Sequence, residues 1–598
     1  MTYATEVLKA DVAVVGGGLA GSSAALKAAD LGLSVVVLER ANTYRSGDAG
    51  AGIDHLFSYV PPVHERVGYT KDMMKEDMAS DLLTQAGLVD RRISDRFVDV
   101  SYERITELER YGIKMRFEDS HLAGGFRLVP QFHSIPTSIN FEGRDIKVRL
   151  TEAMRKAGIR IVNRAVAVKI TKDGRGRASG VIAVSSRDDV VYRVRSKAVI
   201  LATNSTGRRL GGKVNIYDRY YENASSSGAG FGISLPLEAG AEVANLEFSL
   251  GSGELAFRGF STRVGSPGSS WWPCAQVVDD DGEVVVHRIK DYSINEPDYL
   301  RKNVQEYSAF MDEFYAMHRY LAEGRQLYMD LSEATDEELA YVEWTLGHEG
   351  RMWLYVQNLK RDGINLRDVL VPYVYDQGVR VGGGGAGVLV DWKGQTTVPG
   401  LYAAGDMRGL AMGSGPCAIV SGDEAAIGAN EFIGSQRFEP GAGEGDAPEE
   451  IETVRVIASM RNNPDGETWQ NFEQALRSVV ATFGAQPLTD AEIAHALELL
   501  GAMRDDPNLK AENPHEVARC FEALSLLVAA EAIFRAAEHR DKGFRAYRRA
   551  KTWAAACAGD PSSEETTVVY GLYREVDGRY GFRTHDYRKR GIGDGQLI

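Results

Sequence analysis

Three glycines, Gly16, Gly18 and Gly21, follow directly on the apolar run DVAVV and open a stretch of small and apolar residues at helical spacing. The chemistry that this G-x-G-x-x-G spacing serves is the grip of a pyrophosphate. The first glycine permits a tight turn, the second lets backbone approach the phosphates, and the third lets the helix pack close to the strand. The amides of Leu19, Ala20 and Gly21 then open the helix, where free N–H groups and the positive end of the dipole favour an anion. Glu39 ends the next β-branched run, eighteen residues beyond Gly21. It is placed to accept hydrogen bonds from both ribose hydroxyls of an adenosine. Strand, turn, helix, strand and acid in this register point to a dinucleotide, FAD or NAD.

Two later segments favour FAD. AVILATNSTG (residues 198–207) is a strand ending in Ala202, Thr203 and Asn204, and TVPGLYAAGDMRG (residues 397–409) is a strand ending in Gly405 and Asp406. They resemble the second and third segments of FAD-binding folds, in which the acid at Asp406 meets the ribityl chain or the pyrophosphate edge. A nicotinamide domain has no use for a Gly-Asp strand so far downstream. A helix start near Pro416, with Ser414, Ala418 and Ile419 around it, is placed to face the flavin N1/C2=O edge and to stabilise the negative charge of the reduced ring.

The elements that must position these groups read as one βαβ unit over residues 11–39, further strands at 159–170, 180–185 and 191–201, and a helix over 146–157. Residues 251–370 change character, with many aromatics and a helical stretch near 299–324. Strands return at 388–391 and 400–404, followed by a small-residue helix over 416–432. Residues rich in Gly, Pro and acid after 436 read as a linker. Residues 450–558 read as all helical, and the alternating tail predicts a hairpin turning at Asp577 and Gly578.

The whole chain has 598 residues, 44% hydrophobic and 26% charged, with a formal net charge of −15. That length suits roughly three to four domains or subdomains and a core that needs no staples. The acidic balance disfavours nucleic acid as a partner. The four cysteines are far apart and form no CxxC, against an iron–sulfur cluster or structural zinc in this chain. Residues 1–11 hold no apolar signal core, and no apolar run nears the ~20 residues of a membrane span. The expectation is a cytoplasmic protein without a bound metal.

The motifs VVGGGLAG with Glu39 and Arg40, RSGDAGAGI (residues 45–53), ILATNSTG, SGAGFGISLPLEAGAEVANLEF, VLVDWKGQTTVPGLYAAGD and GSGPCAIVSGDEAA resemble the succinate dehydrogenase/fumarate reductase flavoprotein family over most of residues 11–430. GHEGRMWLY and GINLRDVLVPY are more similar to its adenylylsulfate reductase α-subunit branch. The resemblance implies an α/β fold: a Rossmann-like, glutathione-reductase-type FAD domain (residues 1–250 and 370–436) interrupted by a capping domain (251–369), then a helical domain (450–558) and a tail (559–598). It implies that Arg40, Arg45, Ser46, Gly47 and Gly52 join the cofactor site, and that substrate lies between flavin and cap.

The departures from that family bear on the substrate. Ser46, Gly47 and Asp48 stand where many members carry the histidine that bonds FAD covalently, so a dissociable, non-covalent FAD is expected. LEFSLGSG lacks the family's His-Pro-Thr, GVRVGGGG lacks its histidine, LAMGSGP lacks its arginine, and Ala229 replaces an aspartate. The groups that clamp two carboxylates are missing, which disfavours succinate, fumarate and aspartate. Hydride or electron transfer at flavin N5 to or from a small organic or sulfur-containing molecule is the expected reaction. His348 matches the branch's cap histidine as proton donor or acceptor, and Arg258 its cap arginine as anion anchor, with Arg263 and Arg351 beside them. His133 is a further candidate, and Trp271 and Trp272 could wall a planar substrate or belong to the cap core. A separate NAD(P)H domain is not expected, so electrons pass through a small carrier or another protein. The alternatives are an adenylylsulfate reductase α subunit with a ferredoxin-like iron–sulfur partner, an electron-transfer flavoprotein subunit without its own substrate, and an oxidase. An arginine-rich tail could dock an acidic partner, and a homo-oligomer is compatible with all of these.

Overall fold

The computed structural model describes every residue except 1–2, 87–89, 130–136, 205–209, 211–227, 250–251, 258–273, 290–312, 314–319, 321–323, 349–356, 358–359, 379–384, 438–447, 485–488, 541–567, 576 and 587–598. Its centre is a parallel five-stranded sheet in the order Leu401–Ala403, Ala198–Leu201, Val12–Val15, Val35–Glu39, Arg160–Asn163. Val12, Val14, Val37, Val199 and Ile200 are all shut off from solvent. Helices on both faces of a parallel sheet require such continuous apolar runs, and each side chain so buried contributes roughly 1.5–3 kcal/mol.

The strand order places the ligand cleft. From Val12–Val15 the chain continues to Val35–Glu39 on one side, while Ala198–Leu201 adds on the other. A crevice opens at the carboxyl ends of the two diverging strands, which here are Val15 and Leu201. The glycine-turn helix (Leu19–Asp30) leaves this crevice, and the late helix (Gly415–Ser435) packs along it. Their contact is backbone to backbone: a Cβ on Gly422 would lie 2.3 Å from Ala20 O.

The other elements hang on this frame. Ala4–Lys9, Val190–Arg195, Ala178–Ser185 and Ala165–Lys172 make a second sheet. Thus the single strands read at 159–170 and 191–201 are each two strands in different sheets. Arg164 breaks the first with a φ of 63°, and Ser196 and Lys197 break the second. His55–Phe57, Ser138–Asn140 and Arg127–Val129 form a three-stranded sheet. Between residues 252 and 378 a five-stranded sheet runs Ser252–Phe257, Val371–Gly378, Leu327–Asp330, Gln276–Asp279, Val284–Val286, and the helix Asp336–His348 follows Asp330 on the chain.

Helices Pro448–Arg461, Trp469–Gly484, Asp490–Asp505 and Pro514–His539 follow. The predicted hairpin is present: Val568–Arg574 pairs with Tyr580–Asp586 around Gly578, whose φ is 85°. It does not stand apart as a tail. Leu572 pairs with Val243, so the hairpin extends the sheet of Gly387–Val388 and Val243–Ala244. Arg583 and His585 both reach the buried Glu242, at 2.6 and 2.7 Å. Arg574 lies 3.8 Å from Glu238, and Arg579 pairs with Asp577. These arginines serve intramolecular pairs; Arg588 and Arg590 lie outside the described residues. Among the described residues no helix is long and apolar enough to cross a membrane, and no metal-ligating cluster occurs.

Candidate functional site

The glycine turn is packed to the limit that its sequence predicts. Gly16 has a φ of 101°, and a Cβ there would lie 2.3 Å from Ala202 O. A Cβ on Gly21 would lie 1.8 Å from Gly16 O. Gly18 differs. It is the N-cap of the helix with an ordinary φ of −66°, and a Cβ there would meet nothing nearer than Gly47 Cα at 3.6 Å. No side chain caps the helix, so the amides opening it at Leu19, Ala20 and Gly21 have no capping acceptor. Space beside Gly18, uncapped amides and the dipole together fit a pyrophosphate.

Glu39 is buried at the tip of its strand. One carboxylate oxygen accepts from Gly17 N and the other from Ala41 N, both at 2.6 Å. Those bonds aim the carboxylate at the turn and leave lone pairs for ribose hydroxyls. Arg40, next to it, is turned toward the helical region, where it pairs with the buried Glu522 on Pro514–His539.

The segment 45–53 closes the turn from above. Ser46 Oγ donates to Gly17 O at 2.9 Å, and Gly47, with a φ of 74°, faces Gly18. Arg45 is exposed and reaches Gly50 O at 3.3 Å. Gly52 has a φ of 119°. Across the crevice Asn204, with a φ of 63°, donates to Asp48 at 3.0 Å, and Thr203 Oγ1 lies 3.6 Å from Met407 Sδ. Gly405 N donates to Ser421 Oγ at 2.9 Å, which sets the turn carrying the half-buried Asp406.

The late helix starts at Gly415 with Ser414 as N-cap. The Ser414 hydroxyl is buried without a hydrogen-bond partner of normal length, beside the weakly bonding Cys417 thiol. A Cβ on Gly415 would meet Ile53 Cδ1 at 2.8 Å and Leu56 Cδ2 at 3.1 Å, so this helix start abuts the segment 53–56. Ala418 N is taken by Ser414 O, and Ile419 is core, packed toward the glycine-turn helix. A buried, weakly held hydroxyl at a helix start without a side-chain cap is a fit for the carbonyl edge of a flavin.

A second cluster joins this segment to the helix Asp336–His348. His55 Nδ1 lies 2.7 Å from the carboxylate of the buried Asp54. Asp54 O accepts from Asn140 Nδ2 at 2.7 Å, and Asn140 Oδ1 accepts from Tyr341 Oη at 2.5 Å. Tyr341 and His348 lie seven residues apart on that helix, two turns along one face. Tyr341 stacks on Trp344 at 5.8 Å, and Trp344 meets the His348 ring at 4.7 Å. Burial lowers the His348 pKa, against the opposing pull of Glu142 and Asp54. Tyr341, Asn140, Asp54 and His55 therefore form one hydrogen-bonded chain, and Trp344 links it to the His348 ring. Arg258, Arg263, Arg351, His133, Trp271 and Trp272 lie outside the described residues.

Sequence reasoning passed over two features. One is the Asp54–His55 pair, which lies further along the chain than Ser46–Asp48, where the family's covalent histidine would stand. The other is Lys147, wholly buried beneath the glycine turn. Its signal was available: it falls on the apolar stripe of the helix Ile146–Lys156, with Leu150, Thr151 and Met154.

A family profile described as "FAD binding domain" matches residues 11–340, more than half of the chain. Among curated proteins, L-aspartate oxidase of Streptomyces coelicolor is 26% identical over 419 residues, 67% of this chain and 63% of that protein. Vinyl phenol reductase of Lactiplantibacillus plantarum is 27% identical over 240 residues, 39% of this chain and 46% of that protein. The matches thus span less than two thirds of these relatives' lengths. Among solved structures, an adenosine-5-phosphosulfate reductase in complex with sulfite has a TM-score of 0.77 at 19% identity, covering 98% of this chain and 97% of its own. The adenylylsulfate reductase of Archaeoglobus fulgidus gives 0.75 at 18% with the same coverage, and an E. coli quinol fumarate reductase chain 0.69 at 17%, covering 97% of each. The fold of those chains is the fold of this one.

Proposed function

The chain belongs to the FAD binding domain family, with FAD as its cofactor, and from that premise we propose that it is an FAD-dependent oxidoreductase for a small organic or sulfur-containing substrate other than a simple dicarboxylate. The observation that carries the reading is the hydrogen-bonded chain of His55, Asp54, Asn140 and Tyr341, with His348 joined to it through the Trp344 ring. It lies where the segment abutting the late helix start meets the cap. FAD supplies the two-electron acceptor or donor. The protein's own groups do the rest. The uncapped amides after Gly18 hold the pyrophosphate, Glu39 the ribose, and the helix start at Ser414 the ring's carbonyl edge. Asp54 and Asn140 are buried in this cluster, while His55, Tyr341 and His348 stay partly open to a substrate.

His348, with its charged form disfavoured by burial, is neutral near pH 7 and can take a proton from substrate. His55, oriented through Nδ1 by Asp54, is the second group able to do so. Arg258 anchors a substrate anion in this reading, with Arg263 and Arg351 as further cations. The name L-aspartate oxidase describes that relative. Here Ala229 and the histidine-free runs LEFSLGSG and GVRVGGGG disfavour a dicarboxylate.

The test is an anaerobic titration of the yellow protein with candidate substrates and reductants. Bleaching of the flavin band by one small non-dicarboxylate compound is the expected result. Bleaching by L-aspartate, succinate or no compound at all overturns it. The higher structural likeness to adenylylsulfate reductases favours one second reading, an α subunit working with a ferredoxin-like iron–sulfur partner. Co-purification of that partner and sulfite formation from adenylylsulfate decide for it.

A further inference from the structure

Lys147 is an uncommon residue for the place it holds. It is 1% exposed, in the first turn of the helix Ile146–Lys156, and its ammonium lies directly under the nucleotide-binding turn. Its Nζ donates to Gly17 O, to Ser22 Oγ at 2.7 Å and to Gly18 O at 3.4 Å. Three acceptors use the three protons of an ammonium. Gly17 O also receives Ser46 Oγ at 2.9 Å and Ser22 Oγ at 3.2 Å, while Gly17 N is held by Glu39. The peptide planes on both sides of Gly17 are therefore clamped, and the carbonyls point down to Lys147. The amides that follow are left facing the cleft.

We propose that Lys147 is the positioning residue of the cofactor site: its ammonium fixes the amide face of the glycine turn toward the FAD pyrophosphate and supplies positive charge behind it. The inference rests on FAD lying across this turn. It goes further by assigning the electrostatics of binding to one side chain remote in sequence.

A titration follows from the burial. Removal from water brings the Lys147 pKa down to about 8, opposed by the nearby Glu39 carboxylate. Other charges around it are engaged elsewhere. On its own helix Arg149 pairs with Asp145 at 2.7 Å. From the segment above the turn, Arg45 bonds Gly50 O and Asp48 bonds Asn204. The glycine-turn helix presents Ser22, a neutral hydroxyl. The pyrophosphate brings negative charge and raises the Lys147 pKa in the complex, so binding above pH 8 takes up a proton. FAD affinity is then level below about pH 7 and falls as pH rises through about 8, approaching tenfold per pH unit until the pKa of the complex is reached.

The dissociation constant of FAD is read from flavin fluorescence on dilution of the holoprotein between about pH 6.5 and 9.5. The wild type is expected to weaken at least fivefold across that range. Lys147→Met is expected to bind roughly 10–100-fold more weakly at pH 7, with little pH dependence. Lys147→Arg, charged throughout, is expected to restore affinity and remain flat in pH. Calorimetry of the wild type in buffers of different ionisation enthalpy reads proton uptake directly, and holds even where a variant fails to fold. A flat wild-type profile without proton uptake, or the wild-type slope persisting in Lys147→Met, overturns the inference. Failure to hold FAD at any pH overturns instead the placement of FAD on which it rests.

Discussion

The substitution Gly18→Ala separates what the glycine turn does for folding from what it does for the ligand. Gly18 has φ −66° and ψ −164°, an extended conformation that alanine adopts without strain, and the added Cβ would find its nearest neighbour, Gly47 Cα, at 3.6 Å. That is ordinary van der Waals contact. Loss of glycine's freedom in the unfolded chain stabilises by about 0.4–1 kcal/mol. The apoprotein should therefore melt at or slightly above the wild-type temperature. The methyl group nevertheless occupies the face on which the pyrophosphate must approach the amides of Leu19 and Ala20. Hydrogen bonds to a charged group contribute about 1.5–3 kcal/mol each, so losing one or two weakens FAD by roughly 10-fold to more than 1,000-fold. The assay pairs a thermal melt of the apoprotein with FAD titration by flavin fluorescence. A variant that binds FAD as tightly as the wild type refutes the placement of the pyrophosphate. A variant that loses FAD because it no longer folds refutes the packing argument.

Gly21→Ala should behave in the opposite way: its Cβ would stand 1.8 Å from Gly16 O, so helix and strand must separate, and the apoprotein melt itself should drop. Asp423, buried beside the glycine-turn helix, has its carboxyl pushed up to about 7 by burial, despite Arg104 and Lys27. A carboxyl whose folded pKa is raised loses stability as pH rises from the ordinary carboxylate range to about 7. Asp423→Asn should therefore raise the melting temperature at pH 8, by up to a few kcal/mol in stability, with the gain vanishing toward pH 4; a less stable variant at pH 8 contradicts this. Burial pushes Glu242 up, but its bonds to His585 and Arg583 prevail and hold it below the usual range. Its contribution is present above that range and lost as pH falls through the lowered value. Glu242→Gln should cost about 1–3 kcal/mol at neutral pH and increase protease cleavage in the C-terminal hairpin; unchanged protection would show that the pair does not hold the hairpin.

The parts of the site legible in the sequence are those built from contiguous residues. Gly21 had to be glycine for a reason contained within one turn and one helix, the Gly16 carbonyl 1.8 Å from a Cβ there; the φ of 101° at Gly16 is equally local, and Gly18 is read from the same spacing as the place where backbone meets phosphate. Glu39 followed at the distance that one helix and one strand impose. Asp406 and the helix start at Gly415 were readable for the same reason, since a Gly-Asp strand end and a proline near a helix start are local features. Even Gly578 announced its hairpin through the turn that it makes.

What tertiary structure alone decided lies between residues far apart on the chain. Lys147 reaches the turn across 130 positions, and Tyr341 reaches Asn140 across 201. Arg40, adjacent to Glu39, is drawn to Glu522 by a helix 482 positions later. The tail became a sheet edge because Glu242 and Val243 receive it. Local sequence dictates backbone conformation, because φ and ψ depend on a residue and its neighbours. A buried charge finds its partner only when packing has excluded water, and so its role is settled by the fold as a whole.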